Sequence, residues 1–225
     1  MAVFKYETHL HTAETSRCAQ SSGAAFAEHY AARGYAGIFV TDHFFNGNTT
    51  VADHLCWAER VAQFCRGYEA AAARGAERGL DVFFAWEYSF GWAHFLTYGL
   101  GTAWLLAHPR LLDWDVLEYC DRVHADGGGI IHAHPFREHV DLVHLVPTKT
   151  DAVEVVNAAR SAASNAHALD YAISFGLPRT AGSDIHATHQ QRLCGMTLSR
   201  RLTGGRDYLD ALAAAEATLF DETPA

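Results

Sequence analysis

Ala36-Gly37-Ile38-Phe39-Val40-Thr41-Asp42-His43 decides how this chain is read. A near-continuous apolar run stops abruptly in a hydroxyl, a carboxylate and an imidazole. Such a run is the signature of a strand buried on both faces, as in parallel sheets. The polar groups then sit just past the strand's carboxyl end. The same pattern recurs outward in both directions. Residues 3–8 read as a strand leading into His9-Leu10-His11, and Asp81-Val82-Phe83-Phe84-Ala85-Trp86 leads into Glu87. Gly129-Ile130-Ile131 runs into His132-Ala133-His134-Pro135. Residues 152–156 run into Asn157, and Thr180-Ala181-Gly182 into Ser183-Asp184-Ile185-His186. A short strand over residues 95–100 follows His94.

Helical patterns fill the intervals. Ser22 is placed to cap a helix over residues 24–33 that Gly34 ends in the left-handed conformation. Apolar positions at Val51, Leu55, Ala58, Val61, Cys65 and Tyr68 step by threes and fours, which predicts an amphipathic helix over residues 51–78. Further helices are expected over residues 114–125, 162–175 and 208–219. Alternating strands and helices predict an α/β fold. About seven such units, with no repeat or linker, predict one domain over residues 1–225, closer to a distorted (β/α)7 barrel than to an open sheet. In a barrel, groups far apart in sequence meet at the carboxyl-end face.

Composition narrows the partners. Seventeen basic against 26 acidic residues give a net charge of −9. Broad electrostatic binding to nucleic acid needs a basic surface, so that class is disfavoured. Cys18, Cys56, Cys65, Cys120 and Cys194 are odd in number, scattered and without a C-x-x-C pair. Reduced thiols in a cytoplasmic protein are therefore expected. No apolar run approaches the roughly 18 residues of a membrane span.

The candidate site residues are imidazoles and carboxylates, a donor set that suits zinc, iron or manganese. In His9-Leu10-His11, alternate side chains share a face, so both rings can reach one ion while Leu10 packs behind. An isolated His-x-His is as often structural; its place after the first strand favours a ligand role. Asp42 is expected to orient a histidine from behind. Glu87, past an apolar strand, is costly to bury unless paired or coordinated, and is the best bridging candidate. More ligands are present than one tetrahedral ion can take. His29, His54, His108, His124 and His167 read as ordinary histidines, and His139 and His189 lie near site segments without an assigned role.

Taken in order, Glu7-Thr8-His9-Leu10-His11-Thr12, the segment Gly37 to His43, Glu87, His132-Ala133-His134-Pro135 and Gly182-Ser183-Asp184-Ile185-His186 resemble the motifs of the PHP (polymerase and histidinol phosphatase) superfamily. The resemblance spans residues 7–186. It implies a distorted (β/α)7 barrel, two or three divalent ions (Zn, Mn or Fe) and phosphoester hydrolysis by a metal-bridging hydroxide. It further implies that His9, His11, Glu87 and Asp184 hold one ion, His43 and His186 a second, and Glu87, His94 and His134 a third. Glu87, Asp184 and His186 would then be catalytic, and His132 a packing group. Two departures stand out. Glu7 replaces the usual Asp, and Ser16 and Arg17 stand where a further ligand of the second ion is usual, which leaves Glu14 or Cys18 to complete it. Arg137, Arg160 and Arg17 are the candidates for gripping a substrate phosphate, because a guanidinium matches phosphate oxygens in a bidentate way. A small phosphomonoester of the histidinol phosphate kind is the expected substrate. An amidohydrolase-like amide or lactone hydrolase, and a metal-binding module without turnover, are the alternatives. Oligomeric state is not legible.

Overall fold

The apolar runs become short, buried strands, and the capped amphipathic runs become the helices between them. The computed structural model describes residues 3–137 and 142–222. In chain order the elements are β1 (Phe4–Glu7), α1 (Gly23–Ala32), β2 (Gly37–Val40), α2 (Trp57–Phe64), α3 (Arg66–Arg78), β3 (Asp81–Phe84), β4 (Trp86–Phe90) and β5 (Ala93–Tyr98). They continue with α4 (Thr102–Ala107), a single 3-10 turn (Leu111–Asp113), α5 (Val116–Ala125), β6 (Gly129–Ala133), β7 (Ala152–Asn157), α6 (Ala162–Phe175), β8 (Arg179–Gly182), β9 (Leu193–Leu198), α7 (Gly205–Ala213) and β10 (Thr218–Glu222). Ser22 does cap α1, its Oγ accepting from the Ala25 N–H, and Gly34 is left-handed.

The α/β expectation holds, but a closed (β/α)7 barrel is not what the pairing shows. Among the described residues the strands form two five-stranded sheets, ordered β10-β9-β1-β2-β3 and β4-β5-β6-β7-β8. Both are mixed. β1, β2 and β3 run parallel, as do β6, β7 and β8, whereas β9 is antiparallel to β1 and β10, and β5 to β4 and β6. The β4–β5 pair is a hairpin turned at Gly91, whose φ of 57° is the left-handed conformation that glycine adopts without strain.

Bridges link the sheets just past the strand ends. Leu10 pairs with Ile185 and His43 with Glu87, both parallel. The Thr41 N–H bonds to the Leu10 carbonyl, and the Glu87 N–H to the Asp42 carbonyl. The segments following β1, β2 and β8 and the start of β4 are thus laced together where the imidazoles and carboxylates sit. Beneath them Tyr6, Phe39, Leu96, Tyr98, Ile131 and Tyr208 form a buried cluster. The Tyr98 hydroxyl rises from it to donate to the Thr8 carbonyl at 2.6 Å.

Two helix expectations are corrected. The helix over residues 51–78 is two helices that meet at Cys65. α2 starts only at Trp57, because the Glu59 carboxylate takes the Cys56 N–H and caps it there. The helix over residues 208–219 ends at Ala213. Ala215 takes φ of 54°, and the next residues pair with β9 as the edge strand β10.

Candidate metal centre

Hydrogen bonds fix which nitrogen of His9, His11 and His186 faces the centre. The ring of His9 is fully buried, with Nδ1 2.8 Å from Glu154 Oε1 and Nε2 3.1 Å from His11 Nε2. With Nδ1–H given to Glu154, His9 presents the Nε2 lone pair. His11 is set by Ser16. The Ser16 hydroxyl donates to Asp42 at 2.7 Å, so it must accept from the His43 N–H (3.0 Å) and from His11 Nδ1 (3.2 Å). That leaves the His11 Nε2 lone pair aimed at Asp184 Oδ1, 3.3 Å away. In His186, Nδ1 donates to the Asp184 carbonyl at 2.8 Å, which frees Nε2. Fixing the outer nitrogen in this way orients a histidine for a metal.

The carboxylates gather these rings. Glu87 Oε1 lies 2.8 Å from His94 Nδ1, 3.1 Å from His134 Nε2 and 3.4 Å from His9 Nε2, and Oε2 lies 2.5 Å from His43 Nδ1. Asp184 reaches His9, His11 and His134 within 3.6, 3.3 and 3.8 Å. Four groups have ligand atoms all within 4.8 Å of one another: His9/His11/Asp184, His11/His43/His186, His43/Glu87/His94 and His9/His134/Glu154. The last is better explained by hydrogen bonding, since Glu154 already accepts from His9 and from the His134 N–H. His11 and His43 each belong to two of the remaining groups, and a neutral imidazole has one lone pair, so each serves one of them at a time.

These residues fit divalent ions. Glu87 Oε2 and His43 Nδ1 are buried, have no hydrogen-bond partner, and yet approach to 2.5 Å without the alignment of a hydrogen bond. Polar atoms buried in this way are costly unless compensated, and a cation could take the place of a proton on His43 in doing so. Backbone strain marks the same place. His134 and Asp184 have φ of 29° and 50°, left-handed values that cost on the order of 1–3 kcal/mol each and collect at functional sites.

The charges answer one another. Burial pushes the Glu87 carboxyl up, but His94 and His43 overcome it and hold it well below the usual range. Asp184 is held low in the same way by His9 and His11 against its own burial. Burial lowers His9 and His43, yet Glu154 and Asp184 carry His9 well above its ordinary value and Glu87 carries His43 to about 10. His11, buried beside His43 and His186, is held well below its own. In metal-free protein, protons on His9 and His43 offset the carboxylates, and a cation would replace them.

Around this core lie groups that hold it. Asp42 takes the Thr12 N–H and hydroxyl as well as Ser16, so it acts through Ser16 on two histidines. Burial raises its carboxyl to about 6. Glu7 accepts the His9 and Ser183 N–H groups and the Tyr30 hydroxyl, tying β1 to the segment after β8. Glu154, absent from the sequence reading, sits mid-strand in β7 and joins His9, His134 and Asn157. A lone carboxylate in Ala152-Val153-Glu154-Val155-Val156 was the available signal.

The other candidates fall as follows. His132 is buried between Phe95 and Tyr171, outside the four groups. The Glu14 carboxylate takes the Gly23 N–H at the start of α1. Arg17 is exposed, and its Nε donates to the Thr49 carbonyl. Arg137 and Arg160 line a cleft of about 400 Å³ over the histidines, together with Cys18, Asn46, Trp92 and His186. Arg160 Nη2 donates to Asp184 at 2.9 Å, and Arg137 Nη1 lies 3.4 Å from His94. Cys18 Sγ lies 3.2 Å from His43 Nε2. His189 is exposed, and His139 lies outside the described residues.

No family model and no curated protein matches the chain in sequence. Solved structures do match in fold. A two-domain protein from Bacteroides vulgatus, described as containing a predicted PHP-like metal-dependent phosphoesterase, superposes with a TM-score of 0.73 at 16% identity, over 97% of this chain and 65% of that one. This chain thus spans about two thirds of that protein. PsfC from Pseudomonas syringae gives 0.63 at 16% identity, over 100% of this chain and 93% of that one. An amidohydrolase from Chromobacterium violaceum, with bound sulfate and no metal, gives 0.53 at 16% identity, over 81% and 88%. The chain therefore has the fold of PHP-like metal-dependent phosphoesterases. Among the described residues, no helix is long and apolar enough to cross a membrane.

Proposed function

We propose that this chain is a metal-dependent hydrolase of the PHP superfamily that cleaves a small phosphomonoester. The observation that carries the reading is the pairing of a clustered imidazole–carboxylate centre with two arginines, Arg137 and Arg160, in one cleft. The fold alone does not choose the reaction, since an amidohydrolase shares it. The arginines favour a phosphate, because planar forks recognise its oxygens.

His9, His11 and Asp184 would hold one ion, His43 and His186 a second, and Glu87 with His94 and His134 a third. Glu87 faces both His9 and His43 and is the group placed to bridge. When bound, zinc, manganese or iron would neutralise phosphate charge and acidify a water. The chain's own part is orientation. Arg137, beside His94, and Arg160, held by Asp184, would fix the phosphate from the open side of the cleft. The leaving oxygen would take its proton from solvent at the mouth of the cleft. In this reading residues 1–225 act as one unit, the sheets together make a distorted barrel around the centre, and neither nucleic acid nor a membrane is a partner.

Metal-loaded protein assayed against a phosphomonoester, a phosphodiester and a carboxylic ester with the same nitrophenol leaving group tests this. The monoester should be cleaved fastest, and chelator should abolish the activity until metal is restored. Preferred cleavage of the carboxylic ester would overturn the phosphatase reading, and cleavage unaffected by chelator would overturn the metal reading.

A further inference from the structure

Three groups could complete the His11, His43 and His186 cluster from the loop after His11, and the structure disposes of two. Glu14 is spent on the Gly23 N–H. Ser16 is committed to Asp42, His11 and His43. Cys18 remains. Its Sγ lies 3.2 Å from His43 Nε2, on the cleft wall shared with His186. Two neighbouring ligands on a tetrahedral zinc, with Zn–S about 2.3 Å and Zn–N about 2.0–2.1 Å, stand roughly 3.6 Å apart. The observed separation is close to that spacing.

Independent features at the same spot point to a cation. His11, His43 and His186 bring three ligand nitrogens within 4.8 Å of one another. His11 is fully buried, and its ring lies 4.2 and 4.4 Å, centroid to centroid, from those of His43 and His186. With His11 Nδ1 committed to Ser16 and His186 Nδ1 to the Asp184 carbonyl, each offers its Nε2.

We propose that Cys18 is a thiolate ligand of the ion held by His43 and His186, giving this chain a sulfur-containing metal site. The inference rests on the metal-dependent reading above. On binding, the Cys18 S–H bond gives its proton to solvent and the sulfur lone pair forms the bond to the cation. No oxidation is involved. A soft thiolate among imidazoles selects zinc or cobalt over manganese, so this site would differ in metal preference from the carboxylate-rich positions around Glu87 and Asp184.

Cobalt(II) titration of chelated protein separates the two ideas, because thiolate–cobalt bonds give a near-ultraviolet charge-transfer band and any bound cobalt gives weaker visible bands. Wild type should show both. Cys18→Ser should lose the near-ultraviolet band and keep the visible ones, and Cys56→Ser, altered at an exposed thiol by α2, should keep both. Visible bands without the charge-transfer band in wild type would overturn Cys18 as a ligand while leaving the metal centre standing. No cobalt bands at all would overturn the metal centre and Cys18 with it. Alkylation of wild type, followed residue by residue by mass spectrometry, gives a check that needs no variant. Metal loading should slow modification of Cys18 and leave Cys56 unchanged, and equal rates at Cys18 with and without metal would contradict the proposal.

Discussion

His9 Nδ1 and Glu154 Oε1 are 2.8 Å apart, both buried, at positions far apart in sequence. The contact fixes the tautomer that leaves His9 Nε2 facing His11, so β7 orients a ligand presented after β1. Carboxylates placed behind a metal-binding histidine are worth roughly 10–100-fold in metal affinity. Glu154→Gln should therefore weaken metal binding by about that factor in a chelator competition while the protein stays folded. Unchanged affinity would reduce Glu154 to a packing residue.

Gly182 protects the same contact. A Cβ there would lie 2.5 Å from His9 Cβ and 2.6 Å from Glu154 Oε1. Gly182→Ala should cost about 1–3 kcal/mol, as overpacking does, and should weaken metal binding as well. Urea unfolding and metal titration of one sample would show both losses. A stability loss with unchanged affinity would mean that the His9–Glu154 pair can move together.

Arg137→Ala should raise the inhibition constant of inorganic phosphate by about thirtyfold, the equivalent of roughly 2 kcal/mol for a lost hydrogen bond to a charged group. Metal content should stay the same. Arg160→Ala should differ, because Arg160 also pairs with Asp184, and metal affinity should change along with phosphate inhibition. Equal inhibition of wild type and Arg137→Ala would remove Arg137 from the phosphate site.

How much of this was legible follows from particular residues. Strand-end motifs carry their signal locally, so His9, His11, His43, Glu87, Asp184 and His186 stand out from apolar runs. Glu154 hides because it lies within its run, where only the cost of burying it gives it away. The hairpin at Gly91 shows only weakly beside the helical punctuation, which is why parallel units were expected where β4, β5 and β6 are antiparallel. The helical pattern over residues 208–219 runs into the first two residues of β10. Pairing with β9 decides it, and a tertiary contact of that kind leaves no local trace. For Glu14 and Arg17 the local sequence gives no hint of their bonds to the Gly23 N–H and the Thr49 carbonyl, which only the fold brings within reach.

Away from the centre, burial and the neighbouring Arg33 lower His29 from its ordinary 6.5 to about 4. The unfolded chain takes up that proton near 6.5 while the folded ring refuses it until about 4. His29 should therefore subtract stability progressively as pH falls through that window. In chelated protein, the drop in urea midpoint between pH 7 and pH 5 should be smaller in His29→Gln than in wild type. An identical drop would show that His29 protonates freely in the folded state.

The number of divalent ions per folded chain tests the central claim most directly. Glu87 and Asp184 each reach several histidines, and the ligand groups exceed one coordination sphere. Elemental analysis after dialysis against zinc, with circular dichroism confirming the fold, should give more than one ion per chain. One ion or fewer in folded protein would contradict a multinuclear centre.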